Sequence, residues 1–348
     1  MKTIIWDAYG LENPHSGIAR HGSHLLKELN RLGYNPLVLR SEPDFFCDSS
    51  SLYKTPSPST KIMHQRSISS FVDQEITEGR CVFHGLSNFN IPSSNKHDLI
   101  LTIHDLIPLL APQYVSKASA LQSAYLIPKA IRKAKSVICV SRWTQESCKE
   151  RFPDFAHKFV YIPNGRSECF SNVSRGTMTK RLIFISRYEP YKGFDLVVNI
   201  LSQLPEDVCL DLVSNEQGHI WLGENAEPLL SSGRIKLLKN LKDHELQKLT
   251  ADAAALIHCS QYEGFCLPAS EALSLGTPVI YRKGSGIDEV VGTGGIGLGF
   301  GALEDEWCSA VLEVLDNPSS WRSKALQANS ELLSWTKVAQ STLKVYNS

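Results

Sequence analysis

The alternation of short apolar, β-branched runs with helix-length amphipathic stretches constrains this chain more than any other feature. The runs fall at 3–9, 36–40, 81–85, 99–105, 136–141 and 159–163, and again at 181–186, 208–214, 234–238, 254–260 and 278–282. Helical patterns lie between them, over 18–32, 118–135, 194–204, 243–253 and 303–315. Strands that alternate with helices in this way pair in parallel and need crossover helices on both faces. Eleven strands overfill one sheet, so the pattern predicts an α/β chain of two doubly wound, Rossmann-like domains. The expected boundary is the polar stretch 164–180, which bears glycine and serine and has no periodicity. The domains are placed at 1–168 and 178–325, with a helix at 326–348 expected to pack back on the first. Residues 41–70, rich in serine and proline, read as an irregular loop.

A length of 348 residues suffices for two full cores. No run of 18 apolar residues occurs, so no transmembrane helix is expected, and the first strand is too short for a signal peptide. Nine cysteines are scattered without a C-x-x-C pair, which points to reduced thiols in the cytoplasm rather than disulfides or a zinc site. The net charge is zero but unevenly spread. Residues 1–165 hold 19 Lys and Arg against 14 Asp and Glu, a net of +5, and the remainder balances this with −5. That asymmetry fits an anionic partner for the first lobe, or solvated faces alone.

In open α/β sheets ligands bind beyond the carboxyl ends of the strands, and several polar groups are expected there. In "FISRYEPYKGFD", Arg187 and Lys192 follow a strand and Gly193 opens the next helix. Two cations across such a loop can grip a diphosphate or can simply be solvated. In "YEGFCLPASEALSLGTP", Glu263 lies in a turn, Pro268 suits a first helical position, and Glu271 follows on that helix. Two carboxylates at a helix N-terminus, which itself attracts anions, suit an anion flanked by hydroxyls. "SGIARHG" after the first strand puts Gly17 at another helix N-terminus, and "TIHDLIP" puts His104 and Asp105 at a strand end. "RKGSGIDEVVG" adds a further glycine-rich strand-to-helix turn.

Taken in order, "SRYEPYKG", "EGFCLPASEALSLGTPVI" and "GIDEVVG" closely resemble family 4 glycosyltransferases of the GT-B fold. "GIARH", "HDLIPL", "VSRWTQES", "IPNG" and "LSWTKVAQSTLKVY" extend the resemblance over nearly the whole chain. It implies a retaining hexosyltransferase in which two Rossmann-like domains face a central cleft. Arg187 and Lys192 are implied to hold the donor diphosphate and to neutralise the leaving group. Glu263, with the backbone amides of Gly264, Phe265 and Cys266, is implied to contact the donor sugar. Leu267 belongs to the same donor-binding set, and Glu271 is implied to accept from the ribose hydroxyls. His104, on the first lobe, is implied to face the sugar and acceptor, and Gly17 to approach the phosphates. Ser186 departs from the glycine that often precedes the arginine, which bears on the phosphate loop.

No D-x-D pair occurs, and the resemblance implies metal-independent chemistry without a cofactor, the nucleotide sugar being a substrate. Leaving-group charge then falls to the two cations and helix dipoles, with same-face attack assisted by the leaving phosphate. The "GIARH" and "HDLIPL" segments look most like bacterial enzymes of cell-surface polysaccharide and lipopolysaccharide synthesis, many of them mannosyltransferases using GDP-mannose. UDP-glucose and UDP-N-acetylglucosamine are the alternative donors, and the acceptor is expected to be a glycan or lipid-linked glycan. Nucleotide-sugar 2-epimerases and a non-catalytic nucleotide-sugar-binding protein are the other readings, and no nucleic-acid partner is expected. The helix carrying Lys129, Arg132, Lys133 and Lys135 fits a peripheral contact with an anionic membrane face, or a solvated surface.

Overall fold

The computed structural model describes residues 3–8, 11, 16–40, 52–54, 68, 72, 81–92, 97–167, 179–214 and 224–348. The chain divides into two compact units, Met1–Gly165 with Leu333–Ser348, and Arg166–Leu332. Most of the 41–70 stretch and residues 168–178 of the expected boundary lie outside the described residues.

The first unit is built on a parallel sheet of β1 (Ile4–Asp7), β2 (Leu37–Arg40), β3 (Leu52–Lys54), β4 (Val82–Gly85), β5 (Asp98–Ile103), β6 (Ser136–Cys139) and β7 (Phe159–Tyr161). Their order is β3-β2-β1-β4-β5-β6-β7. β1, β4 and β5 are buried at every position, as strands covered on both faces must be, which is why they read as mostly apolar. β3 falls inside the stretch expected to be irregular, where it pairs with β2 from Val38 opposite Leu52.

Serines start four of the described helices of this unit. Ser16, Ser116, Ser141 and Ser334 each accept the amide hydrogen three residues on, at 3.1, 3.2, 2.9 and 3.3 Å. Each such cap stabilises its helix by about 1 kcal/mol. The last of them opens the helix Trp335–Asn347, which is tied into the unit at both ends. Thr336 Oγ1 donates to Glu28 at 2.7 Å. Tyr346 Oη accepts from Trp6 Nε1 at 3.0 Å and bonds His84 Nδ1 at 2.6 Å. His84 Nε2 meets Thr102 Oγ1 at 2.7 Å. This buried chain crosses β1, β4 and β5, satisfying polar groups that would otherwise be costly. The preceding helix, Pro318–Glu331, lies in the second unit instead.

The second unit holds β8 (Arg181–Ile185), β9 (Cys209–Val213), β10 (Ile235–Leu238), β11 (Ala255–His258), β12 (Val279–Arg282) and β13 (Gly295–Leu298). All pairings are parallel and the order is β10-β9-β8-β11-β12-β13. Strand order reverses between β8 and β11, the kind of switch point at which open α/β sheets bind their ligands. Around the sheet pack Phe184, Phe194, Val197, Leu201, Trp307 and Val311, all buried. β13 was not expected: its glycine-bearing GIGL segment lacks a β-branched run.

Candidate functional site

The β8/β11 switch point is where the loops carrying the expected charged site residues leave the sheet. The loop after β8 carries Arg187 and Lys192, and the loop after β11 carries Glu263. Close packing joins the loops. Gln261 N–H donates to Tyr191 C=O at 2.9 Å, and Gly286 N–H donates to Glu263 C=O at 2.9 Å. Gly193 sits at φ 77°, and a Cβ there would come within 2.7 Å of Cys259 Cβ. A Cβ on Gly286 would lie 2.0 Å from the Gly264 carbonyl oxygen. Both positions therefore require glycine, and together they fix the height of Glu263 over the sheet.

Lys192 Nζ lies 2.7 Å from Glu263 Oε1, with the two side chains 14% and 13% exposed. His258, the last residue of β11, brings Nε2 to 2.8 Å from the same oxygen. Cys266 Sγ lies 3.5 Å from that nitrogen. Burial raises the Glu263 carboxyl, but the Lys192 charge and the His258 hydrogen bond overcome it and hold the group well below the ordinary carboxylate range. Burial likewise opposes the Lys192 ammonium, and Glu263 outweighs it, so its pKa rises. The thiol of Cys266 is pushed well up, first by burial and then by the Glu263 charge. At neutral pH the cluster thus holds an ammonium, a carboxylate and a protonated thiol.

Arg187 is oriented differently. It is 60% exposed, 3.4 Å from Glu189, and its guanidinium is open to an incoming anion. Ser186 Oγ donates to the Arg187 carbonyl at 2.9 Å, a contact that the expected glycine could not make. Phe265, Cys266 and Leu267 are buried, and Cys266 caps the helix Leu267–Ser274 in a left-handed conformation, φ 74°. Pro268 is the second helical residue rather than the first, and Glu271 falls in the second turn, half-buried.

Gly17 and His104 belong to the first unit. Gly17 is the first residue of the helix Gly17–Arg31, capped by Ser16. His104 follows β5, buried, with Nε2 2.9 Å from the Leu86 carbonyl. A carbonyl can only accept, so Nε2 bears the proton and Nδ1 offers a lone pair. Burial pushes its pKa down to about 4, against which the Leu86 bond pulls weakly. The ring at neutral pH is an uncharged acceptor for a hydroxyl. Asn88 fixes the turn, accepting from His104 N–H and donating to Asp105 C=O, each at 2.9 Å. His21 stands edge-on at 5.0 Å between ring centres.

The site residue that sequence reasoning missed is His258. It sits in an apolar strand run, and the signal available was its place at the end of that run, five residues before Glu263. Among the described residues no helix is long and apolar enough to cross a membrane.

Residues 167–330 match the family of glycosyl transferases group 1. The chain is 25% identical over 286 residues to O-antigen chain mannosyltransferase B of Escherichia coli, covering 76% of this chain and 74% of that protein. It is 29% identical over 211 residues to the MMP alpha-(1->4)-mannosyltransferase of Mycolicibacterium hassiacum, covering 58% of this chain and about half, 51%, of that relative. Among solved structures, Anabaena HepE in complex with UDP and glucose matches with a TM-score of 0.72 at 18% identity, over 99% of both chains. WaaG, a glycosyltransferase involved in lipopolysaccharide biosynthesis, matches with a TM-score of 0.74 at 14% identity, also over 99% of both. Residues 167–330 thus match the glycosyl transferases group 1 family, the chain is a glycosyltransferase of that type, and its fold is the GT-B fold of HepE and WaaG.

Proposed function

We propose that the chain moves mannose from GDP-mannose to a glycan or lipid-linked glycan of a cell-surface polysaccharide, with retention and without a metal. The observation that carries the reading is the Lys192–Glu263 ion pair at the β8/β11 switch point. A cation placed there meets the donor diphosphate, and a carboxylate beside it meets sugar hydroxyls. Two of the relatives named above are mannosyltransferases, one of them acting on O-antigen chain, which favours mannose over the glucose of the HepE complex.

In this reading the donor diphosphate draws Lys192 and Arg187 to itself. Lys192 is then shared between phosphate and Glu263, and Glu263 turns its free acceptor capacity to the sugar. Glu271 accepts from the ribose, and the amides of Gly264, Phe265 and Cys266 lie along the donor. The acceptor hydroxyl oxygen bonds the anomeric carbon on the face from which the phosphate oxygen departs. Its proton passes to that departing oxygen. Two cations meet the negative charge that grows on the leaving group, where electrostatic stabilisation is worth most.

The test is release of nucleoside diphosphate from a panel of GDP-mannose, UDP-glucose and UDP-N-acetylglucosamine. Slow hydrolysis of GDP-mannose above the others supports the reading. Preference for a UDP-sugar reassigns the donor, and tight binding with no turnover of any donor marks a binding protein instead.

A further inference from the structure

His258, Glu263 and Cys266 bring an imidazole nitrogen, a carboxylate oxygen and a thiol sulfur within 4.8 Å of one another. The nitrogen is 2.8 Å from the oxygen and 3.5 Å from the sulfur. A tetrahedral zinc ion, with bonds of about 2.0–2.3 Å, holds its ligands roughly 3.3–3.8 Å apart, so small side-chain adjustments suffice. We propose that His258, Glu263 and Cys266 form a binding site for a borderline-soft divalent cation such as zinc, which competes with Lys192 for Glu263 and so closes the donor site. The blocking step rests on the donor reading above; the binding itself does not.

Three features support it. The ligands are mixed N, O and S, the set that selects zinc over magnesium or calcium. His258 Nε2 now donates its proton to Glu263, while Nδ1 is buried and has no hydrogen-bond partner among the described residues, so no acceptor or donor there opposes a move of the proton to Nδ1 when a cation takes Nε2. The ring can carry its proton on Nδ1 and offer Nε2 to the metal. The three groups also sit on a rigid frame: His258 ends β11, Glu263 is held through its carbonyl by Gly286, and Cys266 caps a helix. Three protein ligands leave a fourth position to water, as in open zinc sites.

Binding releases the Cys266 proton to solvent and forms a metal–thiolate bond, so affinity falls as pH is lowered. It also places a second positive charge beside Lys192, whose ammonium must swing off the shared oxygen. Lys192 is therefore the guard of the site: while it pairs with Glu263 the cation is opposed, and once it is removed the cation enters freely.

The experiment titrates the chelator-treated full-length chain with Co²⁺ and Zn²⁺, reading the thiolate-to-cobalt absorption and calorimetric affinity. One equivalent is expected, with a thiolate band that vanishes in Cys266→Gly, a substitution the left-handed backbone at that position accepts. His258→Gln should weaken Zn²⁺ at least tenfold, and Lys192→Met should tighten it at least tenfold. No bound equivalent, or a band and affinity unchanged in both Cys266→Gly and His258→Gln, would overturn the site. Unchanged affinity in Lys192→Met would overturn the competition. These readouts need no turnover, so they fail or succeed independently of the donor assignment.

Discussion

Lys192 Nζ stands 2.7 Å from Glu263 Oε1, across a sequence separation of 71 residues, and both side chains are largely out of solvent. Removing one member of such a pair strands the other. Lys192→Met is expected to lower unfolding free energy by about 3 kcal/mol, read from urea denaturation. Lys192→Met/Glu263→Gln should lose clearly less than the single variant, because the double change leaves no buried charge. Equal losses in the two would show that the pair contributes nothing as a pair.

Glu263 and Glu271 are expected to separate in kinetics. Glu271→Ala should raise the donor KM with kcat nearly unchanged, because ribose contacts are the same before and during reaction. Glu263→Gln should lower kcat as well, since it faces the reacting sugar. Steady-state rates over a range of donor concentration give both constants. A pure KM effect in both variants would contradict the division of roles.

His104 gives a pH prediction. Buried and neutral, it resists protonation down to about 4, whereas the unfolded chain takes the proton near the ordinary value of about 6.5. The unfolded state binds more protons in that interval, so the histidine's contribution to stability is full above it and declines as pH falls through it. An NMR titration of the ring proton should show a midpoint near 4. A midpoint at the ordinary histidine value would mean the ring is solvated and free to act as a cation.

The helix Lys117–Lys133 leaves Leu121 and Tyr125 73% and 61% exposed, one turn apart, with Lys129 Nζ 5.6 Å above the Tyr125 ring. An apolar strip edged by lysine and arginine suits the surface of an anionic bilayer. Flotation with phosphatidylglycerol vesicles is expected, weakened by salt and lost in Leu121→Ser/Tyr125→Ser. No flotation in any lipid would place the acceptor in solution.

Much of this architecture was legible because strands covered on both faces are mostly apolar. Val82–Gly85 and Val279–Arg282 stand out for that reason. Gly295–Leu298 did not, since its place at the sheet edge lets glycine alternate with isoleucine and leucine. Leu52–Lys54 is three residues long within a serine- and proline-rich stretch, too short for any period to show. At the site, the motif order exposed Arg187, Lys192, Glu263 and Glu271. That Lys192 and Glu263 touch was hidden, because only the strand order sets β8 beside β11. His258 was masked by its apolar neighbours in β11.

Arg187 tests the central claim most directly, because its exposed guanidinium has no part in the core and its loss should leave the fold intact. Calorimetric titration of wild type and Arg187→Ala with GDP and GDP-mannose isolates its contact with the diphosphate. A charge-assisted hydrogen bond contributes about 1.5–3 kcal/mol, so the variant should bind both ligands roughly ten- to a hundredfold more weakly at unchanged melting temperature. Equal affinity in wild type and variant would contradict a donor diphosphate seated at the β8/β11 switch point.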